Sequence, residues 1–216
     1  MISTDSCIAT TQHNSLLNTK IIGKKITCKA RLLDKRDFQH LIKVVNWAYR
    51  GKEGHEQWAS EENLIFGDRV TYDMLLKDIE KDKNLCTVIV VEEYIDQEEN
   101  GEGCDQQDKI LQPIGCVKIE RDTIHDKPII GMLSVDPSYQ SKGIGAILMT
   151  LAEKEIKQVW NVDEAHLHVV NVRDGLLGWY RYLGYVENGE RYPFNIPGTK
   201  ILVDEELEFL ILIKKL

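Results

Sequence analysis

The sequence lacks an excess of positive charge, a long apolar run and a cysteine pattern, and each absence removes a class of function. Lys and Arg number 27 against 35 Asp and Glu, a net charge of −8. A chain of that balance has no field to attract nucleic acid or an anionic membrane. No run approaches the length of a membrane-spanning helix, and the polar N-terminus lacks the apolar core of a signal peptide. Residues 1–24 also contain no arginine, against an organelle-targeting reading. The five cysteines (Cys7, Cys28, Cys86, Cys104, Cys116) are odd in number, scattered and without C-x-x-C spacing. Neither a disulfide framework nor a zinc site follows, and a reducing cytosol is the simplest home.

What is present fits one globular unit. A chain of 216 residues with 43% hydrophobic content can bury a sizeable core. Residues 1–24, rich in Ser, Thr and Asn, read as a flexible tail, and 25–216 as a single domain. Within it, 96–108 holds six carboxylates (Asp96, Glu98, Glu99, Glu102, Asp105, Asp108) and no Lys or Arg; without them the charge of −8 would be −2. Such a run reads as a solvated acidic loop between two strands.

The most informative stretch runs from Val135 to Ala146. An apolar, strand-like run, Pro128 to Val135, enters it. Ile147, Leu148, Leu151 and Ala152 leave it with the spacing of one helical face. A strand therefore runs through a glycine-bearing turn into a helix, where unpaired backbone N–H groups at the positive end of the helix dipole suit an anion. Gly143 and Gly145 permit unusual dihedrals and close approach of a phosphate, and Lys142 adds a positive charge. The Walker pattern G-x-x-x-x-G-K-[ST] is absent. A dinucleotide fingerprint fails because Leu148 stands three residues after Gly145.

Elsewhere, Lys25–Leu32 alternates as a first strand. Asp34 reads as the cap of a helix striped by Phe38, Leu41, Ile42, Val45 and Ala48. The polar segment 49–69 holds Trp58, Leu64, Ile65 and Phe66 and reads as packed. A helix spans about 71–81, strands follow at 86–94, 114–120 and 128–135, and a fifth at 164–170. The next helix covers about 173–183 with Gly184 ending it. Final strands at 185–187 and 207–213 flank a loop, 188–204. No internal repeat is visible.

Gln140-Ser141-Lys142-Gly143-Ile144-Gly145 matches Q/R-x-x-G-x-G/A. It resembles the pyrophosphate-binding signature of the GNAT superfamily of acyl-CoA-dependent N-acyltransferases. Asn171 with Tyr180, Gly184 and Tyr185 resembles that family's N-x(8)-Y-x-x-x-G-[FY] ending, and the order βααβββαβαβ matches the fold over roughly 25–216. The resemblance implies an α/β (α+β) architecture: a central mixed, mostly antiparallel sheet flanked by helices, with its fourth and fifth strands splayed. It implies acetyl-CoA (coenzyme A) as cofactor. The cofactor's arm would pair with the fourth strand at Leu133, Ser134 and Val135, and its pyrophosphate would sit over Gln140, Ser141, Lys142, Gly143, Ile144, Gly145 and Ala146. Asn171 would help hold the arm. Tyr180, near the thioester sulfur, would serve as general acid, since a phenol stays protonated at neutral pH and can give its proton to a leaving thiolate. On periodicity alone Tyr180, sharing a helical face with Leu176, Leu177 and Leu183, reads equally as a core tyrosine.

The implied reaction is direct attack of a primary amine on the thioester. Some family members place a glutamate on the fourth strand as base, but 127–135 contains no carboxylate. Glu120 and His168 are the leading alternatives, with His125 and His166 behind them. His166 and His168 face one side of a strand but lack a third ligand nearby, so no metal is expected. The acceptor segments implied by the resemblance contain Trp58, Glu61 and Phe194, and a Trp beside carboxylates can hold a cationic amine. A small-molecule amine acceptor is expected. A peptide acceptor, or a non-catalytic acyl-CoA-binding module, remains as alternative, in a cytoplasmic monomer or homodimer with no nucleic-acid or membrane partner.

Overall fold

The computed structural model describes residues 16–55, 60–94, 111–122, 125–196 and 198–216. The acidic loop expected at 96–108 therefore lies outside the described residues, as does Trp58.

Alternating, β-branched runs form the strands of one sheet. In chain order these are β1 (Lys20–Ile22), β2 (Thr27–Leu32), β4 (Cys86–Glu93), β5 (Pro113–Asp122), β6 (Lys127–Val135), β7 (Glu164–Val170), β8 (Val186–Pro193) and β10 (Glu208–Lys215). A separate pair joins β3 (Ile65–Phe66) to β9 (Lys200–Ile201). The large sheet runs β1-β2-β4-β5-β6-β7-β10-β8. Neighbours are antiparallel except β6 and β7, which are parallel and meet at a single register pair, Ile129 opposite His166. Beyond that pair the two strands part, as the expected splay of the fourth and fifth strands requires.

Helices cover both faces. α1 (Phe38–Arg50) buries Phe38, Leu41, Val44, Val45 and Ala48. With α2 (Tyr72–Glu80) it closes a core over Val88, Val90, Cys116 and Met132. On the other face α3 (Ile144–Lys154), extended by a π-helical turn to Val159, and α4 (Asp174–Tyr182) cover Ile89, Val117, Ile119 and Leu167. Asp34 caps the short turn 35–37 that leads into α1, exchanging hydrogen bonds with Arg36 and Asp37. Arg31 on β2 grips Asp37 through both terminal nitrogens, at 2.6 and 2.8 Å, and Glu92 on β4 at 3.0 Å, pinning α1 to the sheet. Gly184, at φ +93°, ends α4 as expected.

Two expectations need correction. The stretch read as a tail already joins the fold by residue 16: Leu16, Leu17 and Ile21 pack on the core, and β1 pairs with β2. The loop expected from 188 begins instead as strand. β8 continues to Pro193, paired with β10. It is exposed along its whole length, so no apolar alternation marked it; backbone pairing alone makes it a strand.

β6 is irregular where the site forms. Cys116 faces Ser134 while Lys118 faces Gly131, so β6 carries one extra residue. Met132 sits there at φ +48°, a bulge in the left-handed region that a branched or bulky side chain rarely enters. Its carbonyl accepts from the Ser134 hydroxyl at 3.1 Å and the Cys116 thiol at 3.5 Å.

Close packing beside that bulge yields a test. A Cβ on Gly115 would stand 2.7 Å from the Ser134 carbonyl oxygen, a backbone atom that cannot swing aside. Gly115→Ala should therefore lower unfolding free energy by about 1–3 kcal/mol, read as a lower urea midpoint.

Candidate active site

The parting of β6 from β7 opens two clefts that share a floor. The first, of about 310 Å³, is lined by Leu133 and Val135 on β6, by Gln140, Ser141, Gly143, Ile144, Gly145 and Ala146 around the turn, and by Trp179 and Tyr180 on α4. The second, about 350 Å³, lies on the far side of Leu133 and holds Glu61, Arg69, Glu120, His168, Phe194 and Tyr180. Tyr49, Leu133, Arg173, Leu176 and Tyr180 line both.

The turn is built to present its amides. Asp136 accepts from the Ser138 N–H at 2.9 Å and from the Lys52 ammonium at 3.0 Å. Burial works against its charge, but these bonds outweigh it and hold the carboxyl below its ordinary pKa. Gly143, at φ +91°, precedes α3, and no side chain caps the helix. An added Cβ on Gly143 would meet no atom within 4 Å, so it would project into open space above the turn. At Gly145 it would touch Trp179 at 3.5 Å, so Trp179 rests on the first turn of α3. Lys142 contributes its backbone; its ammonium lies 4.4 Å from the Tyr139 ring centre instead of in the cleft. These exposed amides and the missing side chains fit a diphosphate.

Of the other residues expected on the cofactor side, Leu133 and Val135 line the cleft, but Ser134 does not. It is 2% exposed, on the opposite face of β6, with its hydroxyl spent on Met132. Asn171 is also elsewhere. Its side chain donates to the Glu206 carbonyl at 3.1 Å and accepts from the Glu208 N–H at 3.2 Å, tying the end of β7 to the start of β10.

Tyr180 is 6% exposed, edge-on to Tyr185 with ring centres 6.1 Å apart. Its hydroxyl has no hydrogen-bond partner among the described residues. Burial raises its pKa, nearby Tyr49 adds to that, and Arg173 opposes it. The phenol therefore stays protonated through neutral pH.

The two expected bases differ. Glu120 is clasped by the ammonium groups of Lys81 and Lys118, the latter at 2.9 Å. Burial opposes its ionisation, yet these bonds prevail and keep its pKa below the ordinary value, leaving a weak base. His168 has no hydrogen bond among the described residues. Its ring, 6.2 Å from Tyr192 and 6.1 Å from Phe209, has an exposed edge but is desolvated enough that burial, then neighbouring His166, lowers its pKa. It is a neutral imidazole at pH 7. His166 is bonded to Glu164 at 2.8 Å, and His125 to Asp122 at 2.6 Å.

Glu61 is 6% exposed and receives Arg50 and Arg173, each at 2.7 Å. Its carboxylate anchors the cleft wall instead of standing free for a cation. Phe194 packs with Ile65, Val170 and Leu207. The β3–β9 pair joins the two segments expected to select the acceptor, a link that strands of two residues each did not announce. Tyr49, Arg69, Arg173 and the Met132 bulge were not anticipated. Periodicity placed Tyr49 next to the α1 stripe, but nothing in spacing ties a charge at 69 to one at 173.

The model of the acetyltransferase (GNAT) family matches residues 55–185, more than half of the chain. The chain belongs to the GNAT acetyltransferase family. Acetyl-CoA is the donor that this family uses. The GNAT acetyltransferase is similar in fold to the spermidine/spermine N-acetyltransferase SpeG of Vibrio cholerae in complex with manganese ions. TM-score is 0.53 and identity 19%, over 87% of this chain and 92% of that one. The spermidine N-acetyltransferase of Vibrio cholerae in complex with CoA and spermine is similar too, at TM-score 0.56 and 19% identity over 87% and 95%. No curated protein matches this GNAT acetyltransferase significantly. Among the described residues, no helix is long and apolar enough to cross a membrane.

The Glu61 clamp generates a stability prediction. Glu61→Ala leaves two half-buried guanidinium groups without their shared carboxylate and should cost about 3 kcal/mol. Chemical denaturation of the variant measures it.

Proposed function

We propose that this protein transfers the acetyl group of acetyl-CoA to a primary amine of a small-molecule acceptor. The observation that carries the reading is the union of two clefts at one protonated phenol, Tyr180, unpartnered among the described residues, with uncapped helix amides at the far end of the first cleft. A CoA diphosphate would rest on the N–H groups of residues 142–146, and its amide-bearing arm on the backbone edge of Leu133 and Val135 that β7 leaves unpaired. Bound there, acetyl-CoA supplies the thioester. The amine nitrogen attacks the acyl carbon, the C–N bond forms as the C–S bond breaks, and the sulfur leaves with a proton from Tyr180.

The chain's own residues then do three things. Tyr180 delivers its proton. Burial makes it a weaker acid than free phenol, and Arg173 works against that penalty. His168, neutral and facing the acceptor cleft, takes the proton the amine must lose. The walls of Leu133, Leu176 and Phe194 exclude water. Glu120, held by two lysines, stabilises the wall. Among the described residues, no cysteine has a nucleophile's setting: Cys86 and Cys116 are buried, with thiol pKa values pushed up to about 12, and Cys28 to about 11. Buried free thiols also support a reducing, cytoplasmic setting.

Calorimetry with coenzyme A tests the reading directly: binding is expected, and absence of binding removes it. Tyr180→Phe should lower kcat by about 100-fold or more in thiol-release assays, while coenzyme A affinity changes little. For His168, the lowered pKa places the acid limb of kcat/KM below pH 6.5, its unshifted value. Activity falls as pH drops through that pKa because the imidazole becomes charged. In His168→Gln the limb should vanish along with most of the rate, as a pH–rate profile will show.

A further inference from the structure

The acceptor cleft is lined with charge, and the sign of what is left over can be worked out. Its cations are Arg50, Arg69, Lys118 and Arg173, and its carboxylates are Glu61, Asp68 and Glu120. Glu61 is neutralised by two arginines and Glu120 by two lysines. Asp68 has no counter-ion among the described residues but is exposed, where water and salt screen it. Arg69 is the converse case. It is half-buried, and among the described residues its guanidinium has no ion pair or hydrogen bond. Its contact is the face of Tyr49, 5.0 Å from the ring centre. Arg173 lies 6.0 Å from that same ring.

A guanidinium drawn out of water and left without a carboxylate is costly, so a cleft that holds one is arranged for an anion. We propose that the acceptor is a primary amine that also carries a carboxylate, gripped by Arg69 above Tyr49 while its amine reaches toward Tyr180. The Tyr49 ring makes this geometry coherent, since it touches Arg69 on one side and lines the floor shared with the donor cleft. A polycation such as spermidine would meet two arginines and no buried free carboxylate. The proposal rests on the acetyl-transfer reading and narrows it.

The test measures thiol release from acetyl-CoA with a panel of amino acids (α, β and ω), each beside its carboxamide, together with putrescine, spermidine and spermine. The best acid should exceed its carboxamide by about 10–100-fold in kcat/KM, the worth of one charged hydrogen-bonded pair. Arg69→Leu, which keeps the backbone N–H bonded to Asn46, should bring that ratio close to 1, and Arg69→Lys should restore part of it. Polyamines or carboxamides turned over as well as the acids, no acid turned over at all, or an unchanged ratio in Arg69→Leu would each overturn the proposal. Coenzyme A calorimetry on wild type and variants separates the failures. Donor binding with the wrong acceptor preference sinks this inference alone, whereas no donor binding by wild type sinks the acetyl-transfer reading beneath it.

Discussion

The parting of β6 from β7 is the constraint on which the rest of the molecule depends. Parallel strands form ladders that consume every inward N–H and C=O, and a continued ladder would leave nothing for a ligand to pair with. Here one pair, Ile129 and His166, holds the strands together, and the bulge at Met132 then turns β6 away. A non-glycine residue at φ +48° costs on the order of 1–2 kcal/mol. The surroundings offset it. Met132 is buried under α1, and Ser134 and Cys116 both donate to its carbonyl. Ser134 thus shapes the cleft without entering it, and the strand edge at Leu133 and Val135 owes its freedom to a strained residue packed on the opposite face.

A second consequence concerns α4. Tyr180 reaches the cleft floor only if this helix holds its angle, and two contacts set it. At one end Trp179 rests on Gly145 in the first turn of α3. At the other Arg173, just before the helix, reaches across to Glu61, which Arg50 of α1 also holds. The same ion cluster therefore ties the acceptor-side segment to the helix that carries the proposed acid. The link between residues 60–69 and the helix of Tyr180 thus runs through charge-assisted bonds.

Legibility in the sequence followed the local signals. The turn at 140–146 was readable because its glycines, preceding strand and following helix are contiguous, and Tyr180 because its family pattern spans a few helical turns. β1 was missed and β8 was read too short for the same physical reason: three residues at one edge and an exposed polar strand at the other carry no alternation to detect. Asn171 shows the limit of a motif. The residue matches its family position, yet its amide is committed to the backbone of 206 and 208, a choice made by how β10 enters the sheet. Glu61 lines the second cleft, but whether it stands as a free anion depends on Arg50 and Arg173, far apart in the chain and close only after folding. Charge state of a site is a property of such long-range neighbours.

Charge state also bears on the base. The carboxylate that some relatives place on β6 is absent, and Glu120, one strand away, owes its ionised form to two ammonium donors, which is the condition that makes a carboxylate least willing to take a proton. His168 meets the opposite condition. Desolvation, helped by neighbouring His166, outweighs the pull of Asp122 and Glu190 and favours its neutral, accepting form. On the reading proposed above, the acceptor's carboxylate takes up the charge of Arg69, and Arg173 is already paired with Glu61, so these arginines do little to strip the amine of its proton. That step falls to the proposed base, His168, whose desolvation keeps the imidazole in the neutral form that can accept. Guanidinium and imidazole then divide the work, one holding the acceptor and the other receiving its proton.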